Sequence, residues 1–324
     1  MKSKNIYVMM FLDNDARVHA GAKRKPTRCQ LVGFLVFLFR VARPDHQAYY
    51  RLAHMNRLKI AMIQMKVLFD EWEKNLLHAA ELVKNASEKG ADICILPECL
   101  DLGWGNTKAQ ELAYPIPGKV SDAYCVIAKE NHVYIVAGLT EKCGERVYNA
   151  ALLISDQGEI LHKHRKINVL TGVEDVYSIG DRIAVTEPPL GTIGIDICAD
   201  NLTPSLSIGH TLARMGAQMI LSPSAWAVTP DRDVIKEPYG LEWHVPYSEL
   251  SGINRIPVIG VSNVGQVTDG AWNGWKAIGN SIAYDSDGKL LKVLPYGEDA
   301  ECVDIVEVSI RKPEHAGTAL AQYV

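Results

Sequence analysis

Four side chains in this sequence are of types that together could break an acyl bond: Glu98, Lys166, Glu174 and Cys198. A thiol is a soft nucleophile, but with an ordinary pKa of about 8.5 it is mostly protonated at neutral pH. It needs a base to take its proton and a cation to hold the charge that develops on the substrate oxygen. A carboxylate, an ammonium and a thiol supply those three parts. Whether they meet depends on the elements that carry them.

Cys198 ends the stretch Gly191–Ile197, whose Ile193, Ile195 and Ile197 alternate at the period of a pleated strand. Asp200, Asn201, Thr203, Pro204 and Ser205 then start a turn and a helix. The thiol is therefore expected at the carboxyl end of a strand, the edge where α/β folds build sites. Pro97 cannot continue a central strand, so Glu98 is expected just past the end of Ala91–Leu96. Lys166 belongs to the basic cluster His162-Lys-His-Arg-Lys-Ile-Asn168, which closes another strand, and Glu174 follows at Gly172-Val-Glu174. Taken singly these are a loop acid, a surface cluster and a core thiol. Cys94 shares the Asp-Ile-Cys setting but is followed by Ile-Leu-Pro, which places it within its strand and in the core.

The rest of the chain supplies a frame for such a site. Strands are expected at Leu58–Met65, Ala91–Leu96, Val133–Leu139, Ile183–Thr186, Thr192–Ile197, Gln218–Leu221, Pro257–Ser262, Ala277–Tyr284, Lys289–Leu294 and Cys302–Val308. Tyr148–Ser155 and Glu159–His164 read as a hairpin around Asp156-Gln157-Gly158. Helices are expected at Asp70–Lys89, Ser121–Asn131, Pro204–Met215 and Pro246–Asn254. Helices and strands alternate and strands then dominate, which argues an α/β domain with mixed sheets.

Residues 1–57 differ from this pattern. They hold eleven Lys and Arg against three Asp, and four of the five Phe of the chain. They are expected to be a disordered or accessory extension, or the product of an upstream start, with Met55 the alternative initiator. The orderly α/β region is expected to span 58–310, with 311–324 a tail. Net charge is -4, against the basic face of a nucleic-acid binder. The apolar run Leu31–Phe39 is too short to span a bilayer, which takes about 20 residues. Seven irregularly spaced Cys suit reduced thiols of a cytoplasmic protein. His162 and His164 share one face of a strand without further ligands nearby, so no metal and no other cofactor is expected.

Leu-Pro-Glu98, Arg-Lys166 and Asp-Ile-Cys198, in that order, resemble the Glu–Lys–Cys triad of the nitrilase, or carbon–nitrogen hydrolase, superfamily. Tyr148-Asn149-Ala150 before Gly158, Ser262-Asn263, and Gly279-Asn-Ser281 leading to Asp285 and Gly288 fit the same pattern. The resemblance covers about 58–310. It implies a four-layer α-β-β-α sandwich and self-association as a homodimer or larger. It also implies the roles: Glu98 as base, Lys166 lowering the thiol pKa and stabilising the oxyanion, Cys198 as nucleophile. Glu174 matches an additional carboxylate that orients Lys166 or the attacking water. The backbone N–H of Ala199 is the natural second oxyanion donor.

Ala199 stands where many relatives have an aromatic residue, which argues mildly against a nitrile specialist. Trp104, Trp226, Trp272 and Trp275 fall in loops near strand ends and are candidate pocket walls, Trp226 first. The expected activity is hydrolysis of a non-peptide C–N bond in a small amide. N-carbamoyl amide hydrolysis and nitrile hydrolysis are the nearest alternatives, and a carboxylate-bearing carbamoyl substrate would want Arg232, Lys236 or Arg255 in the pocket. A non-catalytic sandwich scaffold and acyl transfer to an amine are the alternatives of other classes.

Overall fold

A computed structural model describes residues 57–311 of the chain. The expectations about the N-terminal extension, Met55 and all but the first residue of the C-terminal tail lie outside the described residues. In chain order the elements are β1 (Arg57–Gln64), α1 (Trp72–Glu88), β2 (Ile93–Ile95), α2 (Ala109–Leu112), α3 (Lys119–Asn131), β3 (Tyr134–Cys143), β4 (Arg146–Ile154) and β5 (Ile160–Arg165). They continue with β6 (Val185–Thr186), β7 (Ile193–Ile195), two 3-10 turns (Cys198–Asn201 and Thr203–Ser205), α4 (Ser207–Arg214), β8 (Met219–Ser224) and β9 (Ala227–Val228). The last are α5 (Leu241–Asn254), β10 (Val258–Ser262), β11 (Val264–Gln266), β12 (Lys276–Ile278), β13 (Ile282–Tyr284), β14 (Leu290–Val293) and β15 (Cys302–Ser309).

Two six-stranded sheets form, in the orders β15-β1-β2-β3-β4-β5 and β14-β13-β10-β8-β7-β6, with a three-stranded sheet β11-β12-β9 beside them. Both large sheets are mixed. β1, β2 and β3 run parallel, as do β7, β8 and β10, while the outer strands pair antiparallel. Strands covered on both faces read as near-continuous apolar runs, and β1 and β3 do.

Alternation assigns their two faces. Leu58, Ile60 and Met62 of β1, with Ile93, Ile95, Val136 and Leu153, join Ile193, Ile195, Met219 and Leu221 of the second sheet in one core. Ala61, Ile63, Cys94, Ile135 and Ala137 point the other way, onto Ala79, Val83 and Ala86 of α1 and Val120, Tyr124 and Ile127 of α3. Leu212 of α4 and Tyr247 and Leu250 of α5 cover the far side of the second sheet. The layers are thus α-β-β-α, as expected, and Cys94 is a core residue. These elements lie within one compact unit, Tyr50–Val324.

Three differences from the expected elements have local causes. The stretch Ala277–Tyr284 is two strands, not one. Gly279 and Asn280 take φ of +61° and +58°, and a Cβ on Gly279 would come 2.2 Å from Gln64 Nε2. Gln64 instead accepts hydrogen bonds from Ser281 N–H and Oγ at 3.1 and 2.8 Å, so the kink ties the strand pair to β1. Helix α5 starts at Leu241 rather than Pro246, with Pro246 inside it. β7 ends at Ile195, because Ile197 is already bonded to the turn that carries Cys198.

Candidate active site

The carboxyl ends of β2, β5 and β7 bring Glu98, Lys166 and Cys198 to one place. Glu98 follows β2 and is fully buried. Its N–H donates to Ser224 O at 3.1 Å, which ties the first sheet to β8 of the second. Gly138 of β3 lies directly beneath: a Cβ there would sit 2.5 Å from Glu98 Cα and 2.6 Å from Pro97 O. Only a residue without a side chain lets β3 approach this closely.

Lys166 is buried and held between two carboxylates. Its Nζ donates to Glu98 Oε1 at 2.9 Å and to Glu174 Oε1 at 2.7 Å. Asn149 of β4 donates from Nδ2 to the same Glu98 oxygen at 2.6 Å. Among the described residues Glu98 Oε2 has no hydrogen-bond partner. One carboxylate oxygen is therefore fixed and the other is left to accept a proton.

Glu174 is fully buried, not a surface acid. Its Oε1 also accepts the Trp104 indole N–H at 2.6 Å, and its Oε2 accepts the Leu170 N–H at 2.8 Å. The roles of Asn149 and of the Trp104 N–H were not legible in the sequence beyond the Tyr-Asn-Ala match and the placing of Trp104 as a wall.

Cys198 opens its 3-10 turn with φ of +46°, a left-handed conformation that costs a non-glycine residue about 1–3 kcal/mol. The surrounding bonds hold it there. Its N–H donates to Ser222 Oγ at 3.2 Å. Asn201 Nδ2 donates to the same oxygen at 3.0 Å and to Asp196 Oδ1 at 2.5 Å. Asp200 locks this turn to the one after Lys166: it accepts from Ile197, Ile167 and Asn168 N–H at 3.1, 3.2 and 2.7 Å, and lies 2.9 Å from His164 Nε2. His164 is thus committed to Asp200. Lys163 and Arg165, on the opposite face of β5, pair with Glu141 rather than with solvent.

The electrostatics differ from expectation at the thiol. Lys166 does lower the Cys198 pKa, as does the Ala225 N–H that reaches the sulfur. Burial and the neighbouring Glu98 outweigh them, and the thiol lies well above its ordinary value. Burial also raises Glu98, against the pull of Lys166. Burial opposes the charge on Lys166, yet Glu174 and Glu98 together hold it well above the ordinary range. Burial thus favours the neutral thiol, while the two carboxylates favour the charged ammonium.

A cavity of about 410 Å³ opens over Cys198 and Ala199. Trp104, Trp226, Trp272 and Trp275 all line it, and Trp243 joins them. Trp226 stacks on Trp243 at 4.7 Å and Trp272 on Trp275 at 4.3 Å. The Ala199 carbonyl accepts Asn168 Nδ2 at 2.6 Å. Of the three basic candidates only Arg232 lines the cavity. Lys236 pairs with Asp233 and Arg255 with Asp287 at the surface.

A sandwich of this layering, with a buried carboxylate, ammonium and thiol at the strand ends, has the architecture of a thiol-dependent C–N hydrolase. The family model for carbon-nitrogen hydrolases matches residues 59–312, and the chain belongs to that family. It is 31% identical over 186 residues to omega-amidase NIT2-A of Xenopus laevis, covering 54% of this chain and 66% of that protein. The chain thus spans just under two thirds of the length of such omega-amidase relatives. It is 29% identical over 258 residues to a nitrilase of Pyrococcus abyssi, covering 78% and 90%. Among solved structures it resembles a carbon-nitrogen hydrolase of Helicobacter pylori G27 with a TM-score of 0.70, at 22% identity over 79% of this chain and 90% of the other. An amidase of Nesterenkonia sp. gives 0.65 at 19% identity, over 78% and 90%. Among the described residues no helix is long and apolar enough to cross a membrane.

Proposed function

We propose that the chain hydrolyses the C–N bond of a small amide through a thioester on Cys198. The observation that carries this reading is the Lys166 ammonium clamped between Glu98 and Glu174, with one Glu98 oxygen unpaired among the described residues and Cys198 near enough to feel the Glu98 and Lys166 charges. Such burial of three charged groups is costly for a fold and gains nothing from packing alone.

The steps follow from the groups present. Glu98 Oε2 takes the Cys198 proton as sulfur forms its bond to the amide carbon. The carbonyl oxygen becomes an oxyanion, facing Lys166 Nζ and the Ala199 N–H. The C–N bond then breaks, the nitrogen leaves as ammonia or amine with the proton from Glu98, and the acyl group remains on sulfur. Water attacks the thioester with Glu98 again as base, which releases the acid and restores the thiol. Glu174 positions Lys166 and touches no reacting atom.

The homodimer or larger assembly belongs to the same reading. Leu241, Val245 and Ile253 of α5 are exposed, which supports a covered face there. The test of function is ammonia release from small amides, N-carbamoyl amino acids and nitriles by the wild type and by Cys198→Ala. Release from an amide that the variant loses supports the reading. Release that survives in the variant sinks it, and release from a nitrile alone would move the reading to a nitrilase.

A further inference from the structure

Resting on that function, we propose that the substrate is an aromatic carboxamide whose acyl group carries no carboxylate. The cavity beside Cys198 is walled by five tryptophans drawn from four separate segments of the chain: Trp104, Trp226, Trp243, and the pair Trp272 and Trp275. Leu170, Leu202, Val228, Tyr239 and three alanines complete the apolar part. The indoles form stacked pairs, Trp226 on Trp243 with rings 19° apart and Trp272 on Trp275 with rings 7° apart. Trp104 is tilted at 45° against Trp272. The cavity lining is therefore dominated by indole rings. A flat ring recovers offset-stacked or edge contacts with indoles beyond what its burial alone gives. An aliphatic chain of two or three carbons would leave most of a 410 Å³ space unfilled.

The charges at the cavity argue against an acid. Glu237 and Glu242 line it alongside a single cation, Arg232. Arg232 is occupied within its own loop: Nε donates to Glu237 O and Nη2 to Pro238 O, each at 3.3 Å, and the guanidinium lies over the Tyr239 ring at 5.2 Å. Glu242 accepts the Gly240 N–H at 3.1 Å. At the floor, Lys166 is already shared by two carboxylates. A carboxylate on the substrate would meet two like charges against a single arginine, whose Nε and Nη2 already donate to backbone carbonyls.

Phenylacetamide, propionamide and the monoamide of succinate separate these properties, with ammonia as the common readout. The expected order in kcat/KM is phenylacetamide first, by about tenfold or more over propionamide, with the succinate monoamide last. Trp275→Leu, at a partly exposed position of the wall, is expected to raise KM for phenylacetamide severalfold and to lower kcat/KM for propionamide by clearly less. Trp275→Phe is expected to restore most of the loss. Glu237→Gln is expected to improve the succinate monoamide selectively. Propionamide or the succinate monoamide turning over faster than phenylacetamide would overturn the inference and leave the amide hydrolase standing. Equal losses on all three amides in Trp275→Leu would also overturn it. Ammonia from none of the three, nor from any other amide, removes the proposed function itself and the inference with it.

Discussion

The Trp104 indole N–H donates to Glu174 Oε1 at 2.6 Å, while the Trp104 ring lines the cavity over Cys198. One side chain thus joins the pocket wall to the carboxylate that holds Lys166. Trp104→Phe keeps the ring and removes the donor. Losing a hydrogen bond to a charged group is worth about 1.5–3 kcal/mol. The expected result is a fall in kcat of about tenfold to a hundredfold with KM little changed, read by steady-state ammonia release.

Removing the cation has a different signature. Lys166→Met leaves Glu98 and Glu174 buried together without their shared partner. Breaking a buried ion pair costs about 3–5 kcal/mol. Burial already raises the Glu98 carboxyl and Lys166 is what lowers it, so the variant gains stability on acidification and loses it as pH rises. Chemical denaturation at acid and neutral pH should show a larger deficit against wild type at neutral pH.

Gly138→Ala tests how Glu98 is placed. The new Cβ meets backbone atoms at 2.5 and 2.6 Å, so the Pro97–Glu98 turn must shift rather than a side chain. Activity should fall by about a hundredfold or more, as a displacement of about 1 Å at a reacting group does. Acylation of Cys198 and activity should fall together.

Asp196 reports on the support beneath the nucleophile. Burial, and then the charge of Asp200, push its carboxyl up to about 7. A carboxyl raised in the folded state contributes stability that is present below its unfolded pKa of about 3.8 and is lost as pH rises to about 7. Asp196→Asn keeps the acceptor for Asn201 and removes the titration. Melting curves should show the wild type losing Tm relative to the variant between about pH 4 and pH 7.

The layering and the triad were legible because their signals are local. Alternating isoleucines mark β7, Pro97 stops β2 before Glu98, and the turn-forming residues after Cys198 end its strand. What was not legible depends on distant backbone. Asn149 and Trp104 meet Glu98 and Glu174 across separations of 51 and 70 residues. Lys166 lowers the thiol pKa as expected, but the net direction is set by burial, which a tripeptide cannot show. Pro246 read as a helix start because proline is usual in the first turn, and α5 accommodates it a turn later. Gly279 read as a strand residue because its contact, Gln64, lies over two hundred positions away.

The central claim is that the acyl group passes through Cys198. The direct measurement is peptide mass mapping after brief exposure to an amide substrate and acid quench, with ammonia release followed in parallel. The account expects the acyl mass on the peptide containing Cys198 only, absent from Cys198→Ala, with Cys94 and Cys99 unmodified. An acyl group on another residue, or ammonia release undiminished in Cys198→Ala, would contradict it.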